Sequence, residues 1–511
     1  MQQNLTDKGF GRRTFMTGAA GIAAALAAER AQGSLSGAAA SSAKGAPAAG
    51  SAKFPEGFWW GAATASYQIE GAASEDGRKP SVWDTFCRVP GKVENGHTGD
   101  VACDHYHRYE EDVKLMADLG VKHYRFSIAW PRIIPDGRGP VNEKGVDFYK
   151  RLSDCLLKHG IAPHATLFHW DLPQVLQDRY GGFQSRDIVA DFGAYAEAVG
   201  KRLGDRIKHW MTMNEISCFA FGVGYAVGHV PPHAPGIQLD TVKQRSNISH
   251  HAILAHGTAV QALRATAGKC NVAAAENYNA YVPAIETPEN IEAARKAFLR
   301  DAANGSILSP MLTGRYSDEW MQEYGASAPD IREGDLKLIN QPLDALGFNC
   351  YTGTYVVAAN NAKGFETYPY FEAYPKGSMP WLNITPEAIY WGIRQVSQAL
   401  GRSDLPVFIS ENGVADGAKP DAGGFVADID RVMYYRQYLR NVHRAVSEGY
   451  PVVGYFPWSL MDNFEWACGY NKRFGMVRVD YETQKRTPKL SYRWYQQVIR
   501  ANGVEIGRAH V

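Results

Sequence analysis

Short apolar runs rich in β-branched and aromatic residues alternate along most of the chain with longer stretches of helical periodicity. Such alternation is typical of βα units built around a parallel sheet. Eight strands with intervening helices favour a single closed (β/α)8 barrel with elaborated βα loops, a TIM barrel of the α/β class. An open doubly wound sheet is the alternative. The candidate strands are 57–64, 122–128, 161–167, 207–213, 271–277, 345–350, 406–410 and 452–457.

Helical periodicity separates most of these strands. Several of the helical stretches stop at a glycine, as at Gly120, Gly160 and Gly204, and a strand follows within a few residues. Glycine commonly closes a helix because it tolerates the left-handed backbone conformation. The predicted helices are 106–119, 146–158, 187–203, 248–265, 386–400 and 431–447.

Residues 1–53 differ in composition from the rest of the chain. Arg12 and Arg13 precede an Ala- and Gly-rich apolar run, a pattern that resembles a twin-arginine export signal. The run is too short and too weakly apolar for stable membrane insertion. A periplasmic or secreted protein is expected. The predicted organisation is an export signal over 1–30, a flexible Ala/Gly/Ser-rich segment over 31–53, one folded domain over 54–500 and a tail over 501–511.

Charge and cysteine content exclude several classes of partner. With 54 Lys and Arg against 53 Asp and Glu, the net charge is +1, so no overall field attracts nucleic acid. Seven cysteines are scattered without Cys-x-x-Cys pairs, which argues against a disulfide framework or a zinc site. Two histidine clusters, His105/His107 and His250/His251/His256, lack partnering ligands at metal spacing, so neither a metal nor another cofactor is expected. The oligomeric state stays open.

Two glutamates stand out among the polar residues at the predicted strand ends. Glu215 follows the fourth strand and Glu411 the seventh, so in a barrel both would point into one cavity from opposite walls. Cleavage of a glycosidic bond uses two carboxyl groups, one to protonate the departing oxygen and one to attack or to activate water. The pair therefore predicts a glycosidase, with 54–500 as its catalytic domain.

Three ordered motifs give the chain a specific resemblance. Residues 54–71, Thr212-Met213-Asn214-Glu215 and Phe408-Ile409-Ser410-Glu411-Asn412-Gly413 are similar to the N-terminal, acid/base and nucleophile motifs of glycoside hydrolase family 1. The resemblance runs from Phe54 to about Ile499. Two positions depart from the family pattern: Ile216 stands where proline is usual, and Cys350 where tyrosine is common. The first change affects the turn that follows Glu215.

The resemblance implies a retaining β-glucosidase that removes terminal non-reducing β-D-glucosyl residues from small β-glucosides or short oligosaccharides. Glu215 would be the acid/base and Glu411 the nucleophile, flanked by Arg125 and Tyr351. Because Glu465 is present where family members acting on phosphorylated sugars have a small residue, a neutral sugar is expected. The implied substrate-binding residues are Gln68, His169, Asn214, Tyr351, Trp381, Trp458, Glu465 and Trp466.

Three alternatives use the same barrel. A sugar-binding pseudoenzyme would not need both carboxylates, and their joint retention argues against it. A transglycosidase would use the same residues, with a sugar hydroxyl in place of water. A β-galactosidase or β-fucosidase of the same family would differ only in the sugar it prefers.

Overall fold

The computed structural model describes residues 51–222, 224–225 and 241–505. Eight parallel strands in them close into a barrel, each strand pairing with the next along the chain and the eighth with the first. This confirms the predicted (β/α)8 fold, and the predicted strand ends differ from the observed ones by at most two residues. The strands are β1 (Trp59–Ala63), β2 (His123–Ser127), β3 (Ala162–Phe168), β4 (His209–Asn214), β5 (Asn271–Glu276), β6 (Ala345–Asn349), β7 (Val407–Asn412) and β8 (Val452–Pro457).

Long helices follow the strands. In α2 the apolar residues Val146, Tyr149, Leu152 and Leu156 recur at helical spacing and are buried. Helix α4 begins at Val242, earlier than predicted, because the Thr241 side chain caps its first turn. The helices are α1 (His105–Leu119), α2 (Glu143–Lys158), α3 (Ile188–Leu203), α4 (Val242–Thr266), α5 (Pro288–Arg300), α6 (Glu387–Ala399), α7 (Ile429–Ser447) and α8 (Leu490–Ala501).

The βα loops carry additional structure. Strand Thr354–Ala358 pairs with Tyr281–Pro283 in parallel and with Phe365–Thr367 in antiparallel orientation. This small sheet packs against α5, and both lie in segments to which the sequence pattern assigned no element. Shorter helical turns, such as Ser66–Ile69 and Trp130–Ile133, follow β1 and β2 directly.

The two ends of the described fold pair with each other. Ser51–Lys53 forms an antiparallel ladder with Gly503–Glu505. The fold therefore includes three residues before the predicted start at Phe54 and five residues of the predicted tail, 501–505. The predicted export signal over 1–30 lies outside the described residues, as does nearly all of the segment over 31–53. None of the helices in the described ranges is long and apolar enough to cross a bilayer.

Aromatic rings fill the barrel near the amino ends of its strands. The rings of His164 and His209 stack at 4.1 Å, and His123 Nδ1 lies 2.9 Å from His164 Nε2. Trp59 and Phe408 pack against this group. Because this end is filled, the space for a substrate lies at the carboxyl ends of the strands, as is usual for this fold.

Candidate active site

Two carboxyl groups lie at the carboxyl ends of strands on different sides of the barrel. Glu411 belongs to β7, and Glu215 directly follows β4. Their residues are 3% and 5% exposed, respectively. A buried carboxyl group needs either a charged partner or a proton, and the two glutamates satisfy this requirement differently.

Glu411 is held by two donors. Arg125 Nη1 donates to Oε1 at 2.5 Å, and the Tyr351 hydroxyl donates to Oε2 at 2.7 Å. The Tyr351 carbonyl in turn accepts hydrogen bonds from the hydroxyls of Tyr434 and Tyr438 on α7. A buried guanidinium and a fixed hydroxyl both favour the ionised carboxylate, which is the form that a nucleophile requires.

Glu215 has no cationic partner among the residues that the structure describes. Asn349 Nδ2 donates to its Oε1 at 2.7 Å. Burial and, next, the charge of Glu411 raise the pKa of Glu215 to about 7. Near neutral pH this carboxyl therefore holds a proton that it can release and recover.

Amide side chains connect the two carboxyls. Asn214 Oδ1 accepts from Arg125 Nη2 at 2.6 Å and from Asn349 Nδ2 at 2.9 Å, and Asn349 Oδ1 accepts from Ser410 Oγ at 2.6 Å. These donors fix both amide orientations. The positions of Glu215 and Glu411 thus depend on one continuous hydrogen-bond network.

The same network fixes the proton on His169. Because Asn214 Oδ1 is an acceptor, its Nδ2 donates to His169 Nε2 at 3.1 Å. Burial and the charge of Arg125 lower the pKa of His169 well below its usual value, so the ring is neutral and its proton lies on Nδ1. That N–H has no partner among the described residues.

Several buried polar atoms in the site lack a protein partner within the described part of the chain, among them His169 Nδ1, Gln68 Oε1 and Glu465 Oε2. The Gln68 amide is oriented by its Nε2, which donates to Asn463 Oδ1 and to the Phe464 carbonyl. Burial, Glu411 and Glu215 raise the pKa of Glu465 to about 8. Unpaired buried polar atoms are costly, so these atoms are suited to a ligand that carries several hydroxyls.

Flat rings border these polar atoms. The His169 ring lies nearly parallel to Trp458, with centroids 5.7 Å apart, and to Trp466, with centroids 5.9 Å apart. The backbone after the nucleophile passes close to Trp458, since a Cβ at Gly413 would lie 1.8 Å from the Trp458 carbonyl oxygen. Aromatic faces beside oriented polar groups suit a pyranose, which presents both C–H and O–H groups.

Trp381 lies in the loop between β6 and α6 and is 47% exposed. Its ring meets Tyr351 edge to face, with centroids 5.8 Å apart. Of the residues predicted for the site, Trp381 is the exposed one; the other predicted side chains are buried. Trp381 is thus the predicted site residue that solvent reaches, and it contacts the buried part of the site through Tyr351.

Sequence reasoning assigned no role to several residues that contact the site. Asn349 bonds to Glu215, Ser410 orients Asn349, and Asn463 orients Gln68. Glu276, the last residue of β5, accepts a hydrogen bond from the N–H of Ile216. Asn349 and Glu276 are the last residues of their strands, a position that the sequence alone could have suggested, whereas Ser410 lies within β7 and Asn463 lies in the loop beyond β8.

The histidine clusters noted in the sequence have protein partners. His105 bonds to Asp112, His250 to Tyr316 and Asp335, and His256 to Thr212. Within the described ranges, no group of three or more His, Cys, Asp or Glu side chains is arranged to hold a metal ion.

The model of glycosyl hydrolase family 1 matches residues 50–504 of this sequence. The chain belongs to this family. Beta-glucosidase A of Acetivibrio thermocellus is 44% identical over 455 residues, covering 88% of this chain and 99% of that protein. The 1,4-beta-D-glucan glucohydrolase of Thermotoga neapolitana is also 44% identical, covering 88% of this chain and 99% of that protein.

Solved structures give the same assignment. The β-glucosidase from Thermotoga maritima in complex with deoxynojirimycin superposes with a TM-score of 0.80 at 41% identity. The match covers 89% of this chain and 100% of that chain. Both the family and the barrel predicted from the sequence are confirmed.

Proposed function

We propose that this family 1 enzyme is a retaining β-glucosidase that removes terminal β-D-glucosyl residues by double displacement. The observation that carries the proposal is the unequal treatment of two buried carboxyls in one site. Glu411 is ion-paired with Arg125, whereas burial and Glu411 raise the pKa of Glu215 to about 7. A nucleophile and a proton donor are the two groups that the reaction needs.

In the first step Glu411 attacks the anomeric carbon, and the departing oxygen takes the proton of Glu215. The product is a glycosyl ester of Glu411 with inverted configuration. In the second step Glu215, now ionised, takes a proton from water as the water oxygen attacks the same carbon. Two inversions restore the β configuration and return both carboxyls to their starting states.

The sugar ring would lie among Gln68, His169, Asn214 and Glu465, with Trp458 and Trp466 bordering it and Trp381 near the leaving group. Glu465 favours a neutral sugar. Its pKa is raised to about 8, so near neutral pH it is largely an uncharged acid that suits sugar hydroxyls, and it offers a phosphate dianion no cationic partner. The relatives named for β-glucosidase and 1,4-β-D-glucan glucohydrolase activity support small β-glucosides and short glucooligosaccharides as substrates.

A fluorosugar inactivator of the β-glucoside type tests both the mechanism and the sugar. The expected result is one covalent adduct per chain, on the peptide that contains Glu411, and a β-configured first product by NMR. Glu411→Gln is the matched control and should take up no label. An α-configured first product, or a label on another residue, would contradict the mechanism. Faster turnover of phosphorylated than of neutral aryl β-glucosides would contradict the substrate assignment.

Export by the twin-arginine route is a second part of the proposal. It rests on Arg12 and Arg13 before an apolar Ala- and Gly-rich run. In the native host, Arg12→Lys with Arg13→Lys should retain the protein in the cytoplasm, whereas Lys8→Arg, in the same segment, should leave export intact. Unchanged export of the double variant would overturn the assignment.

A further inference from the structure

A further buried carboxyl group, that of Glu276, lies beside the turn that carries the acid/base. Glu276 is 2% exposed, and its Oε1 accepts a hydrogen bond of 3.2 Å from the N–H of Ile216. Ile216 is the residue that follows Glu215, and it is fully buried. The contact therefore joins the end of β5 to the turn that carries the acid/base carboxyl.

The turn at Glu215 needs such a support. Glu215 has a φ of +50°, a left-handed conformation that non-glycine residues adopt rarely and that persists only where the surroundings enforce it. Its own N–H donates to the Ala275 carbonyl at 2.8 Å. Two successive N–H groups, those of Glu215 and Ile216, are thus bound by two successive residues of β5.

Glu276 does not serve as a second charge in the site. Burial raises the pKa of Glu276 well above its usual value, and the charge of Glu215 raises it further. The neutral acid accepts the Ile216 N–H through one oxygen. Its Oε2 has no partner within the described ranges. A buried carboxyl at this position, in contact with the backbone N–H of Ile216 and also with the backbone of Ser217, acts on Glu215 through geometry.

We propose that Glu276 is a positioning residue for the acid/base, holding Glu215 in its left-handed turn through the Ile216 N–H. Ile216 and Glu276 act as a pair, because a proline at 216 has no N–H to donate and would leave the buried carboxyl without this contact. The inference rests on the proposed function, in which Glu215 gives and takes the proton.

The test compares substrates that differ in their need for a proton. Cleavage of dinitrophenyl β-glucoside needs little acid assistance, whereas phenyl β-glucoside needs it. After normalisation to active sites by fluorosugar titration, Glu276→Leu should lower kcat/KM for the phenyl substrate at least about tenfold and for the dinitrophenyl substrate less than about threefold. Glu276→Gln keeps a carbonyl acceptor and should stay within about threefold of wild type on both substrates.

A double variant tests the pairing. Ile216→Pro with Glu276→Leu removes donor and acceptor together, while proline fixes the backbone of the turn, so phenyl glucosidase activity should recover to within about threefold of wild type. If Glu276→Leu does not fold, Glu276→Met removes the acceptor with a more adaptable side chain.

Equal losses of kcat/KM on the two substrates would show a general structural role for Glu276 and overturn the proposal. A fully active Glu276→Leu variant would also overturn it. So would a double variant whose phenyl glucosidase activity is no higher than that of Glu276→Leu. The proposed function fails on separate grounds. Wild-type enzyme that hydrolyses neither glucoside, or that is labelled away from Glu411, would refute it regardless of how the Glu276 variants behave.

Discussion

The guanidinium of Arg125 lies 2.5 Å from the carboxylate of Glu411, and both side chains are buried. The same guanidinium donates to Asn214, which shares a donor, Asn349, with Glu215. One arginine thus neutralises the nucleophile and orients the network that reaches the acid/base.

Arg125→Met should therefore lower both stability and activity. Removing one partner of a buried ion pair leaves an uncompensated charge, so the free energy of unfolding should fall by about 3–5 kcal/mol. The kcat/KM for aryl β-glucosides should fall at least about 100-fold. Arg206→Met is the control, since it breaks a surface pair with Asp154 and should cost about 0–1 kcal/mol. Urea unfolding and steady-state kinetics measure both effects; similar losses in the two variants would contradict the role assigned to Arg125.

The two catalytic glutamates should differ in the azide product that they yield. In Glu411→Gly, azide occupies the vacated space and attacks the anomeric carbon directly, giving an α-glycosyl azide. In Glu215→Ala, a substrate with an activated leaving group still forms the glycosyl-enzyme, and azide then releases a β-glycosyl azide. NMR of the products distinguishes the anomers. The same anomer from both variants would exclude the assigned roles.

Proton donation by Glu215 should set the basic limb of the pH profile. Its pKa is raised to about 7, so the protonated form is lost as the pH rises through this value. For phenyl β-glucoside, kcat/KM should therefore decline above about pH 7. In Glu215→Gln the residual activity on dinitrophenyl β-glucoside should show no such decline. A basic limb that persists unchanged in this variant would assign the titration to another group.

The histidines at the amino end of the barrel should make stability depend on pH. Burial lowers the pKa of His123 to about 4 and that of His164 well below its usual value. The unfolded chain then binds more protons than the folded one below about pH 6.5, so stability falls as the pH is lowered. The His123 ring alone contributes a loss of about 2 kcal/mol between pH 7 and 5, and His164 adds a loss in the same direction. Urea unfolding of His164→Gln should show a shallower decline than wild type. The exposed His159→Gln should follow the wild type, and a parallel decline in His164→Gln would contradict the prediction.

Gly413 should tolerate no side chain. A Cβ there would lie 1.8 Å from the Trp458 carbonyl oxygen, so Gly413→Ala must displace the backbone of Trp458. The Trp458 ring, which borders the proposed sugar site, would move with it. We expect a loss of about 1–3 kcal/mol in stability and at least about tenfold in kcat/KM. Gly417→Ala is the control because nothing lies within 4 Å of a Cβ at that position. Wild-type kinetics in Gly413→Ala would show that the ring position does not matter.

The barrel was predictable because its signals are local. Each strand is a short apolar run, and glycines such as Gly120 and Gly160 end the helices that precede the next strand. The small sheet at 281–283, 354–358 and 365–367 was not predicted. Two of its three strands have only three residues, and side-chain alternation over so few positions cannot be distinguished from a loop.

The candidate site likewise contains residues that could be predicted from the sequence and contacts that could not. Glu215 and Glu411 could be placed from their motifs and strand ends. The contacts of Asn349 with Glu215 and of Glu276 with Ile216 could not, because they join residues that are 134 and 60 positions apart in the sequence and whose polar groups meet only in the folded barrel. Ile216 could be recognised from the sequence as a departure from the usual proline. The effect of that departure on Glu215 could not, because it depends on Glu276, the side chain that accepts the Ile216 N–H.

The edge-to-face contact between Trp381 and Tyr351 connects an exposed loop residue to the proposed nucleophile. In the proposed function Trp381 borders the departing group, and Tyr351 donates to the oxygen of Glu411. A bulky aglycone that displaces the Trp381 ring would therefore also displace the Tyr351 ring, and with it the hydroxyl that donates to Glu411. Aglycone binding and the speed of bond cleavage are then not independent traits, and a loop substitution chosen to widen the range of accepted aglycones also alters the reaction centre.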